Sequence, residues 1–113
     1  MPGVGAWHYT REGAAMILVR QVFRAKYGRG DELVALFKEF AQRMQGQAWQ
    51  GQRLLTDASG PFFTVVTEHE VESLGAWERT FGEGMSQPWM GEWFGRMMPL
   101  VESGSREFYN VVE

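Results

Sequence analysis

The hydrophobic and polar positions of residues 16 to 44 predict a strand that leads into a helix. In the run MILVRQVFRAK, alternate positions separate an apolar set from one that becomes basic toward its end, as in a β-strand. After a glycine-punctuated turn, Asp31 and Glu32 stand where an N-cap and a dipole-compensating acid belong. Apolar side chains then recur at helical spacing on one face as far as Met44, and Gly46 is a natural stop.

The remainder of the chain repeats this arrangement once, with an additional helix. A short turn-rich loop separates the second and third strand candidates, which favours an antiparallel hairpin. The strand candidates are residues 48–57, 61–69 and 105–113, and the helix candidates are residues 71–81 and 89–98. The predicted order is therefore β-α-β-β-α-β, with the extra helix before the last strand.

This order is typical of an α+β, ferredoxin-like fold, in which both helices cover one face of a four-stranded antiparallel sheet. The third strand candidate is largely apolar on both of its faces, so the second face also needs a cover. We expect a second copy of the chain to provide it, forming a homodimer. The sequence leaves open whether the face of Val65 or that of Val66 meets the partner.

Residues 1–15 are glycine-rich and aperiodic, and they precede a second methionine, Met16, at which regular patterning begins. We interpret them as a flexible leader, with the folded domain spanning residues 16–113. On this interpretation Trp7 and His8 belong to an appendage, and Met16 is an alternative start. The competing interpretation is that Trp7 packs onto the body of the protein.

Composition narrows the classes of function. The 113 residues suffice for one domain, and five Trp, eight Phe and seven Met provide bulky surface for a core, an interface or an apolar pocket. A net charge of −3 without a basic block indicates no nucleic-acid partner. Without cysteine there can be no disulfide or thiolate ligand. No apolar run is long enough for a bilayer and no signal peptide is evident, so we predict no membrane partner and a cytoplasmic location.

Three segments carry a resemblance to a known superfamily: MILVRQVFRAKYGRGDELVALFKEF, RLLTDASGPFFTVVTEHEVESLGAWE and MPLVESGSREFYNVVE. They resemble the dimeric α/β-barrel superfamily, and within it the NIPSNAP-like and antibiotic-biosynthesis-monooxygenase-like families. The shared features are strand, helix and turn patterns rather than catalytic signatures, so the resemblance is specific for fold and weak for activity. Members of the superfamily include cofactor-free oxygenases, haem-degrading enzymes, isomerases and decarboxylases.

The resemblance argues against haem in this chain. Haem-degrading members use an Asn on the first strand, a Trp on the third strand and a His on the second helix. Here the first strand has Gln21, residues 61–69 contain no Trp, and residues 71–81 contain no His. We therefore expect no cofactor.

His69 is the one candidate catalytic residue, because an imidazole titrates near neutral pH and can transfer protons. The alternative is that it is only a surface or hydrogen-bonded residue at a strand end. The other histidine, His8, is distant in sequence and neither belongs to a ligand cluster, so we expect no metal site.

Aromatic side chains are the candidate substrate-binding residues, since they could wall an apolar pocket between sheet and helices. They are Trp77, Phe81, Trp89, Trp93 and Tyr109. The alternative is that such aromatic stripes are simply core. A set of charged strand residues could likewise hold an anionic ligand or pair with one another across the dimer, and pairing is preferred: Arg20, Arg24, Arg53, Glu68 and Glu107.

The leading hypothesis is a small homodimeric protein that binds an apolar or aromatic small molecule, with a cofactor-independent monooxygenase as its narrower form. The alternative is a non-catalytic ligand-sensing or interaction domain of the NIPSNAP-like type. A cavity bordered by Trp77 or Trp93 with a polar group facing it favours the first, whereas a filled helix–sheet interface favours the second.

Overall fold

The computed structural model describes residues 16–44 and 52–112, which form a β-sheet and a set of helices packed on it. In chain order the elements are β1 (Ile17–Ala25), α1 (Gly30–Arg43), β2 (Arg53–Thr56), β3 (Thr64–Val71), α2 (Leu74–Met85), α3 (Met90–Met97), a single 3-10 turn (Met98–Leu100) and β4 (Val101–Asn110). This order confirms the predicted α+β arrangement with an extra helix before the last strand. The predicted leader, residues 1–15, and the start of the second strand candidate lie outside the described residues.

The four strands form one antiparallel sheet in the order β2-β3-β1-β4. Strand β1 is central and pairs with β3 on one side and β4 on the other, so Gln21 lies opposite both Thr67 and Arg106. The predicted hairpin is confirmed by the pairing of β2 with β3. This is the ferredoxin-like topology expected from the element order.

One face of the sheet is covered by helices. Strand residues Ala25 and Val65 belong to the same buried cluster as Leu33 and Phe37 of α1 and Trp93 of α3. The spacing of the apolar residues in α1 explains this packing, because positions three and four apart fall on one side of a helix. The cluster also answers a question left open by the sequence, since it places Val65 on the helix-covered face.

The opposite face, here called the outer face, carries Val66 and a row of charged side chains that crosses all four strands. Glu68 accepts hydrogen bonds from Arg53 and, at 3.3 Å between Nη1 and Oε2, from Arg20. The Nε atom of Arg20 also lies 3.8 Å from Oε1 of Glu107. Four of the five predicted charges therefore pair with one another within a single chain, and their predicted pairing across a dimer stays a prediction.

Several element boundaries differ from the predicted ones. Helix α2 begins at Leu74 rather than at position 71, because Val71 pairs with Ile17 as the last residue of β3 and Ser73 is the N-cap. The Ser73 hydroxyl accepts a hydrogen bond from the backbone N–H of Ala76 at 3.0 Å. Sequence periodicity missed this because Val71 fits both the strand pattern and the helix pattern.

The starts of β4 and α1 also differ from the predicted positions. Strand β4 begins at Val101, four positions before the predicted start, because Ser103 and Gly104 pair with β1 although their residue types favour loops. Helix α1 begins at Gly30 with Arg29 at the N-cap, and no side chain caps it. Asp31, which we predicted to be the cap, lies inside the first turn, where its negative charge still interacts favourably with the positive end of the helix dipole.

Candidate functional site

A cavity of about 270 Å³ lies between the helix-covered face of the sheet and the three helices. We call it the helix–sheet cavity. Its apolar wall comes from β1 and all three helices and consists of Phe23, Phe37, Phe40, Phe81, Met85, Trp93, Phe94 and Met97. Its polar lining consists of the side chains of Gln21, Gln52, Thr67 and Arg106, and β4 also borders it at Gly104 and Ser105. An apolar chamber with a few convergent polar groups is the usual form of a small-molecule site.

Trp93 is the central residue of the apolar wall. It is 3 % exposed, and its ring lies 5.1 Å from that of Phe40 and 5.6 Å from that of Phe37, both on α1. Its indole N–H donates a 3.0 Å hydrogen bond to the backbone carbonyl of Leu36. One side chain of α3 is thus fixed to α1 by aromatic packing and by a hydrogen bond, which holds the wall of the cavity in place.

Three polar side chains lie side by side on the sheet at the floor of the cavity, and we call them the polar row. Arg106 Nε donates a 2.9 Å hydrogen bond to Gln21 Oε1, and Gln21 Nε2 lies 3.3 Å from the hydroxyl oxygen of Thr67. The row exists because the three residues are in register on neighbouring strands and face the same side. Since a guanidinium only donates, the amide oxygen of Gln21 must face Arg106.

Arg106 also packs against aromatic rings. The centre of its guanidinium lies 4.9 Å from the ring centroid of Trp77 and 4.9 Å from that of Phe81, and these two rings stack on each other. Burial lowers the pKa of Arg106, but the ordinary arginine value is so high that the group stays charged at neutral pH. A positive charge supported by two aromatic rings therefore borders the cavity.

The structure brings some of the predicted substrate-binding residues together and separates others. Phe81 and Trp93 line the helix–sheet cavity. Trp77 lies next to it, between the Phe81 ring and the Phe108 ring. Trp89 instead packs on Phe40 and beneath the guanidinium of Arg43, outside the lining. Tyr109 lies on the outer face, in register with Leu18, and is 49 % exposed, so it does not border this cavity.

His69, the predicted catalytic residue, lies on the helix-covered face of β3, two positions beyond Thr67, and is 4 % exposed. It lies opposite Val19 of β1 and is not part of the cavity lining. Burial lowers its pKa below the ordinary value of about 6.5. The imidazole is therefore neutral at physiological pH.

The polar row is the part of the site that we did not single out from the sequence. One signal was present: Gln21 is the polar exception in the otherwise apolar set Ile17, Val19, Phe23 and Ala25. A polar residue on a helix-covered face needs partners. The partners could not be named, because strand register places Thr67 and Arg106 beside Gln21 from positions 46 and 85 residues away.

Among residues 16–44 and 52–112, no group of three or more His, Asp or Glu side chains is arranged to hold a metal ion. No helix in the same part of the chain is long and apolar enough to cross a membrane.

Fold and site together define the class: a ferredoxin-like α+β protein with a partly apolar cavity between its sheet and its helices. Its structure is similar to that of a NIPSNAP family protein from Agrobacterium tumefaciens, with a TM-score of 0.78, 18% identity, and 87% of each chain covered. A second NIPSNAP family protein from this organism, of unknown function, gives a TM-score of 0.79 at 14% identity, over 93% of this chain and 94% of the other.

A third similar structure is a Chloroflexus aurantiacus protein provisionally assigned as an antibiotic biosynthesis monooxygenase. Its TM-score is 0.64 at 20% identity, over 87% of this chain and 92% of the other. No protein-family profile matches the chain, and no curated protein matches it in sequence. The resemblance inferred from the sequence is thus confirmed, at the level of the fold.

Proposed function

We propose that this protein binds a small apolar or aromatic molecule in the helix–sheet cavity. The observation that carries the proposal is the combination of an aromatic wall with the polar row on one side of the same space. A tightly filled interface would leave no such space, whereas a binding site needs apolar contact for affinity and a few polar groups for orientation. The volume of about 270 Å³ lies near the lower end of ligand pockets, which run from roughly 300 to 1,000 Å³.

The polar lining favours binding over proton transfer. In the part of the chain that the structure describes, the side chains bordering the cavity offer amides, a hydroxyl and a guanidinium, but no carboxylate or imidazole. A general base must lie within hydrogen-bond reach of the proton that it removes, and His69 is not in the lining. A cofactor-independent monooxygenase remains a narrower hypothesis, supported by the fold shared with the Chloroflexus protein and testable by oxygen uptake.

We further propose that the protein acts as a homodimer formed through the outer face. Val22 and Val66 lie opposite each other there, on neighbouring strands. Val66 is already only 7 % exposed in the single chain, whereas Val22 is half-buried and Tyr109, on the same face, is 49 % exposed. With the paired charges of Arg20 and Glu68, Val22 and Tyr109 give a surface that is partly apolar and internally neutralised, as a self-complementary interface requires. A location in the cytoplasm likewise remains a prediction.

A cavity-filling substitution tests the binding proposal against a matched control. Met97 lines the cavity, while its neighbour Met98 is 64 % exposed. We would screen one-ring and two-ring aromatic compounds by ligand-observed NMR against the wild type, Met97→Trp and Met98→Trp. We expect compounds to bind the wild type and Met98→Trp alike and to bind Met97→Trp at least about tenfold more weakly.

The proposal fails if no compound binds at millimolar concentration, or if Met97→Trp binds as well as the wild type. Thermal unfolding of both variants verifies that each is folded. Measuring oxygen uptake with the compounds that bind then separates a monooxygenase from a ligand-sensing domain.

A further inference from the structure

We propose that the ligand of the helix–sheet cavity is an organic carboxylate, with its apolar body inside the cavity and its carboxylate held by Arg106. This inference rests on the proposed function and adds the chemical class of the ligand. It depends on three features of Arg106: its unpaired charge, its remaining hydrogen-bond donors and its fixed orientation.

The charge of Arg106 is not neutralised within the described residues. Five other arginines in the described part of the chain, though not Arg24 or Arg79, form ion pairs with carboxylates, as Arg53 does with Glu68 and Arg96 with Glu39. Arg106 forms none in the described part of the chain, although Glu107 is its neighbour in sequence. Strand alternation sends Glu107 to the outer face, where it accepts a 2.7 Å hydrogen bond from the Tyr109 hydroxyl and lies near Arg20.

Most hydrogen-bond donors of Arg106 have no partner among residues 16–44 and 52–112. Its Nε–H is bonded to Gln21, which leaves the four N–H groups of the two terminal nitrogens. A guanidinium presents such groups as a planar fork that matches the two oxygens of a carboxylate. Arg106 borders the cavity and is exposed to solvent on the edge strand, so its terminal N–H groups are accessible to a ligand that enters the cavity.

Gln21 and the aromatic pair fix the direction of the fork. The stacked rings of Trp77 and Phe81 support the guanidinium, and Gln21 is held by Thr67 on its other side. Gln21 is a positioning residue, and its neutrality matters: a glutamate of the same length at this position would neutralise Arg106 from within. The polar row thus orients the positive charge without cancelling it.

A single guanidinium beside an aromatic wall suits a carboxylate better than a phosphate ester. A phosphate carries more charge and more acceptor oxygens, so it needs further cationic or N–H donors. The rest of the described lining supplies neutral polar residues, which are Gln21, Gln52, Thr67 and Ser105, beside its apolar side chains and Gly104. The cavity therefore selects a ligand with one planar anionic end.

A pair of probes that differ in charge but hardly in shape tests the proposal: 2-naphthoate and the uncharged 2-naphthamide. We would measure both affinities calorimetrically at neutral pH for the wild type, Arg106→Gln, Gln21→Glu and Arg79→Gln. Arg79→Gln removes the same charge from an exposed position of α2 outside the lining. We expect the wild type and Arg79→Gln to prefer the carboxylate by at least about tenfold.

Arg106→Gln should lose this preference while keeping the affinity for the amide within a factor of about two. Gln21→Glu, which retains the arginine, should also lose it, because a carboxylate beside Nε of Arg106 neutralises the guanidinium from within the chain. The ratio of the two affinities is a readout that a general loss of packing would not change, and it keeps the test valid if one of the two variants fails to fold.

Equal binding of the two probes to the wild type would overturn the carboxylate proposal and leave the binding function standing. Retention of the preference by Arg106→Gln would overturn it as well. Binding of neither probe, at concentrations where smaller aromatics also fail, would overturn the proposed function and this inference together.

Discussion

The hydrogen bond from Trp93 to α1 allows a quantitative test of how the cavity wall is held. Replacing Trp93 by Phe keeps an aromatic ring but removes the indole N–H, which lies 3.0 Å from the Leu36 carbonyl. The Leu36 carbonyl retains its helical partner four residues later, so the loss is that of one net hydrogen bond, about 1 kcal/mol. The smaller ring also leaves space in a site that is 3 % exposed, which adds roughly 1 kcal/mol.

We therefore expect Trp93→Phe to lower the free energy of unfolding by about 2 kcal/mol. For a domain of this size, that corresponds to a fall in Tm of roughly 10 °C. The matched control is Trp89→Phe. Trp89 also packs on Phe40, but it is only half-buried and its indole forms no hydrogen bond within the described residues, so we expect a loss below about 1 kcal/mol.

Urea unfolding followed by far-UV circular dichroism measures both losses without relying on tryptophan fluorescence. All proteins must be compared at one concentration, because dimerisation would make the apparent stability depend on concentration. Equal losses for the two variants would refute the reasoning, since they would show that the hydrogen bond and the depth of burial contribute nothing measurable.

The remaining predictions concern His69 and the outer face. Because burial lowers the pKa of His69 in the folded state, the unfolded chain takes up a proton first as pH falls below about 6.5. The free energy of unfolding should therefore keep the full His69 contribution above that pH and decrease as pH falls toward the folded-state pKa. Urea unfolding at several pH values should show a weaker pH dependence for His69→Gln than for the wild type. An equal pH dependence would contradict the lowered pKa of His69. Val66→Asp should convert a dimer into a folded monomer in light scattering, whereas Val65→Asp should disrupt the helix-covered core; a monomeric wild type would refute the dimer.

Local patterns in the sequence determined the architecture of this protein. Period-two alternation and period-three-to-four spacing are local properties, because each follows from the geometry of a single strand or helix. These periodicities predicted the β-α-β-β-α-β order and the extra helix, and the turn-rich loop between the second and third strand candidates predicted the hairpin; the structure confirms all three. Phe81 and Trp93, which the sequence analysis named as candidate substrate-binding residues, line the cavity.

Element ends were harder to predict, because at an end local preference competes with pairing across the sheet. The residue types of Ser103 and Gly104 favour a loop, yet both residues belong to β4 because they pair with β1. We predicted Val71 to begin a helix, yet its pairing with Ile17 places it in β3. In each case a residue distant in sequence decided the outcome.

Only the tertiary structure decided which side chains meet at the site. Alternation identified Gln21 as a polar residue among apolar ones, but the register of three strands was needed to place it between Thr67 and Arg106. The same register carried Tyr109 to the outer face, although sequence reasoning had grouped it with the cavity aromatics. Side-chain direction in a strand changes with every residue, so a site assembled from several strands depends on pairings that no local pattern contains.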